Sequence, residues 1–204
     1  MYRWQIMNRI AGRRIIGIVR AEDAAAAVRA ALATVDAGLD VVEVSLTTPG
    51  ALEAVAEIVR ARPHAVVGAG TVLDETSARL AALAGARFLV APSLNAGVIS
   101  TAHRYGLAAL PGAATATEIV AALEAGADAV KLFPAVASAP GVVRSLLQAL
   151  PQAPLVPTGG ITAESAPEWI AAGAVACGVG GAITSGDAGT VKALLDAVQA
   201  RAGE

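Results

Sequence analysis

The segment ADAVKLFPA, residues 127–135, puts a lysine inside an apolar run that otherwise reads as a buried strand closed by Pro134. Of the 15 Lys and Arg residues only Lys131 and Lys192 are lysine, so arginine is the ordinary cation of this chain. Val130, Leu132 and Phe133 flank Lys131, and an ammonium pointing into such surroundings is partly desolvated. Desolvation disfavours the charged form and brings tuned lysines down to roughly pH 7–8. A neutral amine adds to a ketone and forms a Schiff base, which a permanently protonated guanidinium does not do. The competing reading is a lysine that snorkels its ammonium to the outside. Lys192, in TVKALLDAVQ, reads as a solvated helix face.

Glu43 is the only carboxylate inside a predicted strand, VVEVSL. It suits a general acid/base beside the amine, or else a structural ion pair with Lys131. Two glycine turns, PTGG at 157–160 and GVGG at 178–181, expose backbone N–H groups that let a phosphate approach, and they also read as plain tight turns. Arg20, ending GIVRAED, either pairs with Glu22 or Asp23 at the surface or clamps a carboxylate with its planar fork. Thr71 in GAGT offers a hydroxyl to the same carboxylate. Two histidines and one cysteine in no ligand spacing argue against a metal, and no G-x-G-x-x-G joins the first strand to the first helix. The expectation is chemistry without a cofactor.

The elements that must position these groups recur. Candidate strands at 15–19, 41–46, 65–70, 88–92, 108–112, 129–134, 154–159 and 174–180 start roughly 20 to 26 residues apart, room for one helix each. Ala-Gly precedes a strand at 37–38, 84–85, 125–126 and 172–173, a helix-ending signal. Asp74, Thr115 with Glu118 three residues on, and Thr162 mark helix starts. Strands that hardly alternate in polarity are those of parallel sheets covered on both faces. Eight such units predict a single (β/α)8 barrel over residues 1–204, with a short helix over 2–12 covering its N-terminal end; an open doubly wound sheet is the alternative. In such a barrel, ligands sit where strands lead into helices, which selects Arg20, Glu43 with Ser45 and Thr47, Thr71, Pro92, Pro111, Gly112, Lys131 with Phe133, the PTGG turn with Thr158, Gly159 and Gly160, and the GVGG turn with Gly178, Gly180 and Gly181.

Composition narrows the classes. With 55% hydrophobic, 16% charged and 3% aromatic residues the chain builds an aliphatic core and is not disordered. A formal charge of −2 with no basic cluster argues against nucleic acid. Prolines and glycines interrupt the longest uncharged windows, so no membrane span is expected. The N-terminus lacks the apolar core of an export signal and Cys177 is alone, which points to the cytoplasm.

Taken in order, VEVSLTTP, VGAGTV, LVAPSLN, LPGAATATE, AVKLFPA, PTGGI and GVGGAI resemble the 2-dehydro-3-deoxy-6-phosphogluconate and 4-hydroxy-2-oxoglutarate aldolases, class I pyruvate aldolases of the (β/α)8 fold. The resemblance spans nearly the whole chain. It implies reversible cleavage of a six-carbon phosphorylated keto acid into pyruvate and glyceraldehyde 3-phosphate. It also implies a homotrimer, a place in the Entner–Doudoroff pathway, and some action on 4-hydroxy-2-oxoglutarate. By position, Lys131 matches the Schiff-base lysine, Glu43 the acid/base, Thr71 a pyruvate-pocket residue, Thr158 the substrate loop, and Gly159, Gly160 and the GVGGA turn the phosphate site. Thr47 stands where some members carry a substrate-contacting arginine, a gap Arg20 is placed to fill, and Ala182 where several carry serine. GAATATEIVAALEAGA is also similar to the 6-phosphogalactonate aldolases, whereas PTGGI favours the gluconate group. Two rivals share the glycine turns. A phosphosugar isomerase or epimerase needs a second acid/base, and a non-catalytic phosphometabolite-binding barrel has no use for Lys131.

Overall fold

Strands that are apolar on both faces need cover on both faces, and the chain supplies it from its own helices. The computed structural model describes residues 1–181 and 187–200. Strands β1 (Ile15–Val19), β2 (Val41–Ser45), β3 (Val66–Gly70), β4 (Phe88–Val90) and β5 (Ala108–Leu110) are parallel neighbours in that order. A short β6 (Gly112–Ala113) then pairs with β7 (Val130–Leu132), and β7 with β8 (Leu155–Pro157). The last strand, β9 (Cys177–Val179), pairs with β1, and a parallel bridge between Thr158 and Gly178 ties it to the end of β8. The sheet therefore closes into the expected (β/α)8 barrel. Its fifth position is split at Pro111, which has no N–H but whose carbonyl accepts from the Lys131 N–H.

Helices α1 (Arg3–Arg13), α2 (Ala24–Asp36), α3 (Ala51–Ala61), α4 (Glu75–Leu83), α5 (Ala96–Arg104), α6 (Ala116–Glu124), α7 (Pro140–Ala149), α8 (Ala166–Ala171) and α9 (Ala188–Ala200) complete the described residues. Their ends follow local chemistry. Asp74 accepts from Ser77 N–H at the start of α4, and Thr115 and Glu118 form the reciprocal capping box of α6. Gly38, Gly85, Gly126 and Gly173 all take positive φ after helix ends. Thr162 does not begin α8 as expected. It and Ser165 satisfy each other's backbone N–H in a separate turn, and the helix begins at Ala166 with Pro167 in its first turn. The final strand is shorter than the predicted 174–180, because the ladder to β1 begins only at Cys177. Among the described residues no helix is long and apolar enough to cross a membrane.

A period of two sorts each strand between barrel interior and helix layer. Ile16, Val41, Val66, Phe88, Ala108, Ala129, Val156 and Ala176, one per barrel position, form an inner apolar floor. Ile6 and Ile10 of α1 complete this floor from below, both fully buried. Burying each isoleucine contributes about 1.5–3 kcal/mol, and that is what seats α1 across the N-terminal end. The intervening residues, such as Val42, Val44, Val130 and Leu132, pack outward against the helices. Two residues beyond the floor, the same alternation presents Ile18, Glu43, Gly68, Val90, Leu110, Lys131, Thr158 and Gly178 as a second tier. Another two residues reach the rim, with Arg20, Ser45, Gly70, Pro92, Gly112, Phe133, Gly160 and Gly180.

Candidate active site

The second tier and the rim enclose a cavity of about 510 Å³ at the C-terminal end of the barrel, of a size suited to a small metabolite. Most residues selected from the sequence line it, but Ser45, Thr47, Pro111 and Gly112 do not. The cavity adds Ile18, Ile161 and Thr162, which sequence reasoning missed. Ile18 is in phase with Glu43 and Lys131, so extending the two-residue alternation to every strand finds it. Ile161 and Thr162 follow from the path of the loop after Gly160, which no local pattern marks.

Thr47 is a correction. It is exposed beside the cavity rather than in its lining, because it lies past the end of β2, where strand alternation no longer aims side chains inward. Its hydroxyl lies 2.9 Å from Ser45 Oγ, which in turn lies 2.9 Å from Thr71 Oγ1. Ala182, expected near the second glycine turn, falls outside the described residues.

Lys131 is 6% and Glu43 3% exposed, so the amine and carboxylate are both nearly enclosed. Lys131 does not snorkel outward. Its strand neighbours Val130 and Leu132 take the outer face, leaving Lys131 to the cavity. Burial pulls the amine below the ordinary lysine value; the Glu43 charge opposes that shift and Arg20 adds to it. Burial likewise pushes Glu43 above the ordinary carboxylate value, against the pull of Lys131 and Arg20. Among the described residues the two form no ion pair, so the structural-pair alternative for Glu43 is not what the geometry holds. They face a shared space instead. Lys131 Nζ lies 4.7 Å from the centroid of the Phe133 ring, which closes one side of the amine's surroundings.

Glycine makes room for this arrangement. A Cβ at Gly70 would stand 1.8 Å from Glu43 Oε1, so the carboxylate lies where any other residue's side chain would be. Arg20 has no ion pair with Glu22 or Asp23; Asp23 instead caps α2 by accepting from Ala26 N–H at 2.7 Å. Its guanidinium is thus uncommitted among the described residues. Gly159 and Gly160 have φ of 91° and 84°, a run that only glycine adopts readily. The N–H groups of Gly160 and Gly181 meet no acceptor among the described residues, leaving donors turned to the mouth. Cys177 contributes no nucleophile here: burial pushes its thiol up to about 12. No three His, Cys, Asp or Glu side chains among the described residues are grouped to hold a metal.

A closed barrel with a desolvated amine, an unpaired buried carboxylate and phosphate-sized glycine turns at one mouth defines a carbonyl-handling barrel enzyme. The chain belongs to the KDPG and KHG aldolase family, whose model matches residues 6–198, and it is accordingly an aldolase, a carbon–carbon lyase. It is 41% identical over 150 residues to the 2-dehydro-3-deoxy-6-phosphogalactonate aldolase of Escherichia coli K12, covering 72% of this chain and 73% of that one. It is 40% identical over 169 residues to the 2-dehydro-3-deoxy-phosphogluconate aldolase of Zymomonas mobilis, covering 82% and 80%. A KDPG aldolase from Legionella pneumophila, solved with pyruvate captured as a covalent carbinolamine intermediate, superposes with a TM-score of 0.82 at 26% identity, covering 95% of this chain and 98% of that one.

Proposed function

We propose that this aldolase reversibly cleaves 2-dehydro-3-deoxy-6-phosphogluconate to pyruvate and glyceraldehyde 3-phosphate through a Schiff base on Lys131. The observation that carries the reading is that Lys131 and Glu43 are both nearly fully buried, face one cavity, and are not paired with each other. The neutral amine attacks the C2 ketone to give a carbinolamine. Glu43 delivers the proton with which the hydroxyl leaves as water, and the iminium forms. Glu43, now a carboxylate, accepts the C4 hydroxyl proton as the C3–C4 electron pair moves into the iminium. Glyceraldehyde 3-phosphate leaves, and the pyruvyl enamine remains. Protonation of that enamine at C3 by Glu43, followed by hydrolysis, releases pyruvate and the free amine.

The remaining residues orient the substrate. Arg20 and Thr71 hold the carboxylate, and Pro92 and Phe133 wall the pyruvyl carbons. Thr158 meets the sugar hydroxyls, while Gly159, Gly160, Gly180 and Gly181 take the phosphate on backbone N–H groups. Binding the distant phosphate fixes the scissile bond over the amine. Thr47 acts only at one remove, through the hydroxyls it touches. Exposed Leu73, Leu80 and Leu83 offer apolar surface for assembly with further copies, read here as a homotrimer; the Entner–Doudoroff pathway and a cytoplasmic setting follow from the substrate proposed.

Borohydride added with pyruvate should leave one reduced pyruvyl group on Lys131, read by peptide mass. Lys131→Arg, which keeps the charge but not the nucleophile, should take up none and lose cleavage by about 10⁴-fold or more. An unmodified Lys131 in the wild-type chain would overturn the scheme. The 41% identity to a relative named as a 2-dehydro-3-deoxy-6-phosphogalactonate aldolase favours a second reading, in which the C4 epimer is the better substrate. Cleavage of the gluconate- and galactonate-derived substrates and of 4-hydroxy-2-oxoglutarate, measured side by side, decides between them.

A further inference from the structure

We infer that Ser45 is a positioning residue: it sets the direction of the Thr71 hydroxyl through a line of three hydroxyls running from the surface to the cavity. This rests on the reading of Thr71 as a carboxylate ligand. Thr71 is one of two described non-glycine residues with positive φ, at 60°, and it sits where β3 opens into the cavity. Strain of this kind persists only where surrounding contacts hold it. The contact here is Ser45, which is fully buried. It pairs in register with Gly70, the residue that precedes Thr71. Ser45 Oγ is 2.9 Å from Thr71 Oγ1 on one side and 2.9 Å from Thr47 Oγ1 on the other. The Thr47 N–H also points at Ser45 Oγ, at 3.5 Å.

Three hydroxyls joined by two hydrogen bonds use two of their three protons as links; a free proton on fully buried Ser45 would have no acceptor, so it lies at one end. With Thr47 donating to Ser45 and Ser45 to Thr71, the free proton is on Thr71 and is aimed at a ligand. In the opposite direction Thr71 gives its proton to Ser45 and turns a lone pair to the cavity, which a carboxylate repels. A bound carboxylate therefore selects the inward direction, and Ser45 transmits it. Bonds aligned in one direction polarise one another, so the line strengthens the terminal donor. Because Thr47 is exposed, its end can exchange partners with water when the direction reverses. The result is a neutral donor in the same cavity as Arg20, whose guanidinium is uncommitted among the described residues.

The test is the initial rate of borohydride capture on the full chain against pyruvate concentration, which separates half-saturation from the saturating rate. Removing a hydrogen bond to a charged ligand should raise half-saturating pyruvate about tenfold in Thr71→Val, about fivefold in Ser45→Ala and about twofold in Thr47→Val. Saturating rates should stay near wild type, and Ser45→Thr, which keeps the hydroxyl, should restore half-saturation. Ser45→Ala with wild-type half-saturation, while Thr71→Val is impaired, would overturn the positioning role and leave the aldolase reading intact. A Ser45→Ala variant that loses only melting temperature does the same, since that outcome marks a structural hydroxyl. Absence of capture in the wild-type chain overturns the aldolase reading and this inference with it.

Discussion

The floor and the second tier of the barrel are built on the same strands, two residues apart, yet they carry opposite chemistry. Below, Ile16, Val41, Val66, Phe88, Ala129 and Val156 meet Ile6 and Ile10 of α1 in a contact made only of carbon. Above, two of the same strands hold Glu43 and Lys131 nearly enclosed with no ion pair between them. The floor gains from burial, whereas the tier above it is buried against the preference of its charges. The shifted amine and carboxylate are two consequences of that one fact. A barrel can keep such a tier because its floor supplies cohesion that the site does not.

Separating the two tiers by substitution sharpens the contrast. Ile10→Ala empties part of the floor and should lower unfolding free energy by about 2–5 kcal/mol in urea. Cleavage by the molecules still folded should be unchanged, because Ile10 lies below the tier that binds substrate. A comparable loss of kcat/KM in folded protein would mean that the floor also shapes the site, and the division would fail. Gly70→Ala probes the other side. The new methyl group must displace the Glu43 carboxylate, so kcat should fall about a hundredfold, the scale of an ångström's misplacement of a catalytic group. Borohydride capture at Lys131 should survive in that variant, though more slowly. Normal turnover in Gly70→Ala would show that Glu43 has slack the structure does not reveal.

Much of this was legible in the sequence because the governing rules are local. Ala-Gly pairs, Asp74 and the Thr115–Glu118 box mark helix ends through contacts spanning a few residues. Strand spacing gave the barrel, and the rarity of lysine gave Lys131. Ile18, on β1, needed only the alternation carried to every strand; the other misses depend on where a loop runs once it leaves regular structure. Thr47 was read as lining the cavity because it follows Glu43 by four residues, but β2 ends at Ser45 and the period of two ends with it. Thr162 has the composition of a helix cap, yet its hydroxyl closes a turn with Ser165 and the residue lines the cavity instead. The hydroxyl line from Thr47 to Thr71 joins the ends of two strands, β2 and β3. In the sequence alone, Ser45 reads only as one more polar residue at a strand end.

The smallest expected effect tests the contrast at its root, the protonation of the second tier. Lys131 holds its proton less firmly in the fold than in the unfolded chain, where the ordinary value is 10.5. Between the lowered value and 10.5 the unfolded chain therefore binds more protons, so stability rises with pH, by at most about 1.4 kcal/mol per unit. Glu43 has the opposite sign in a lower window. From 4.5 up to its raised value the folded chain binds more protons, and stability falls as pH rises. Lys131→Met deletes the upper slope. It also removes the charge that pulls Glu43 down, so it should extend the lower slope to higher pH. Urea unfolding of both proteins from neutral pH to about pH 10 should thus show the wild-type curve climbing toward the variant's with each step. Cys177, pushed from 9.0 to about 12, contributes a falling limb above its unfolded value, but it does so in both proteins and cancels in the difference. Curves that stay parallel would mean that Lys131 keeps an ordinary proton affinity in the fold. The second tier would then be no more strained than the floor beneath it.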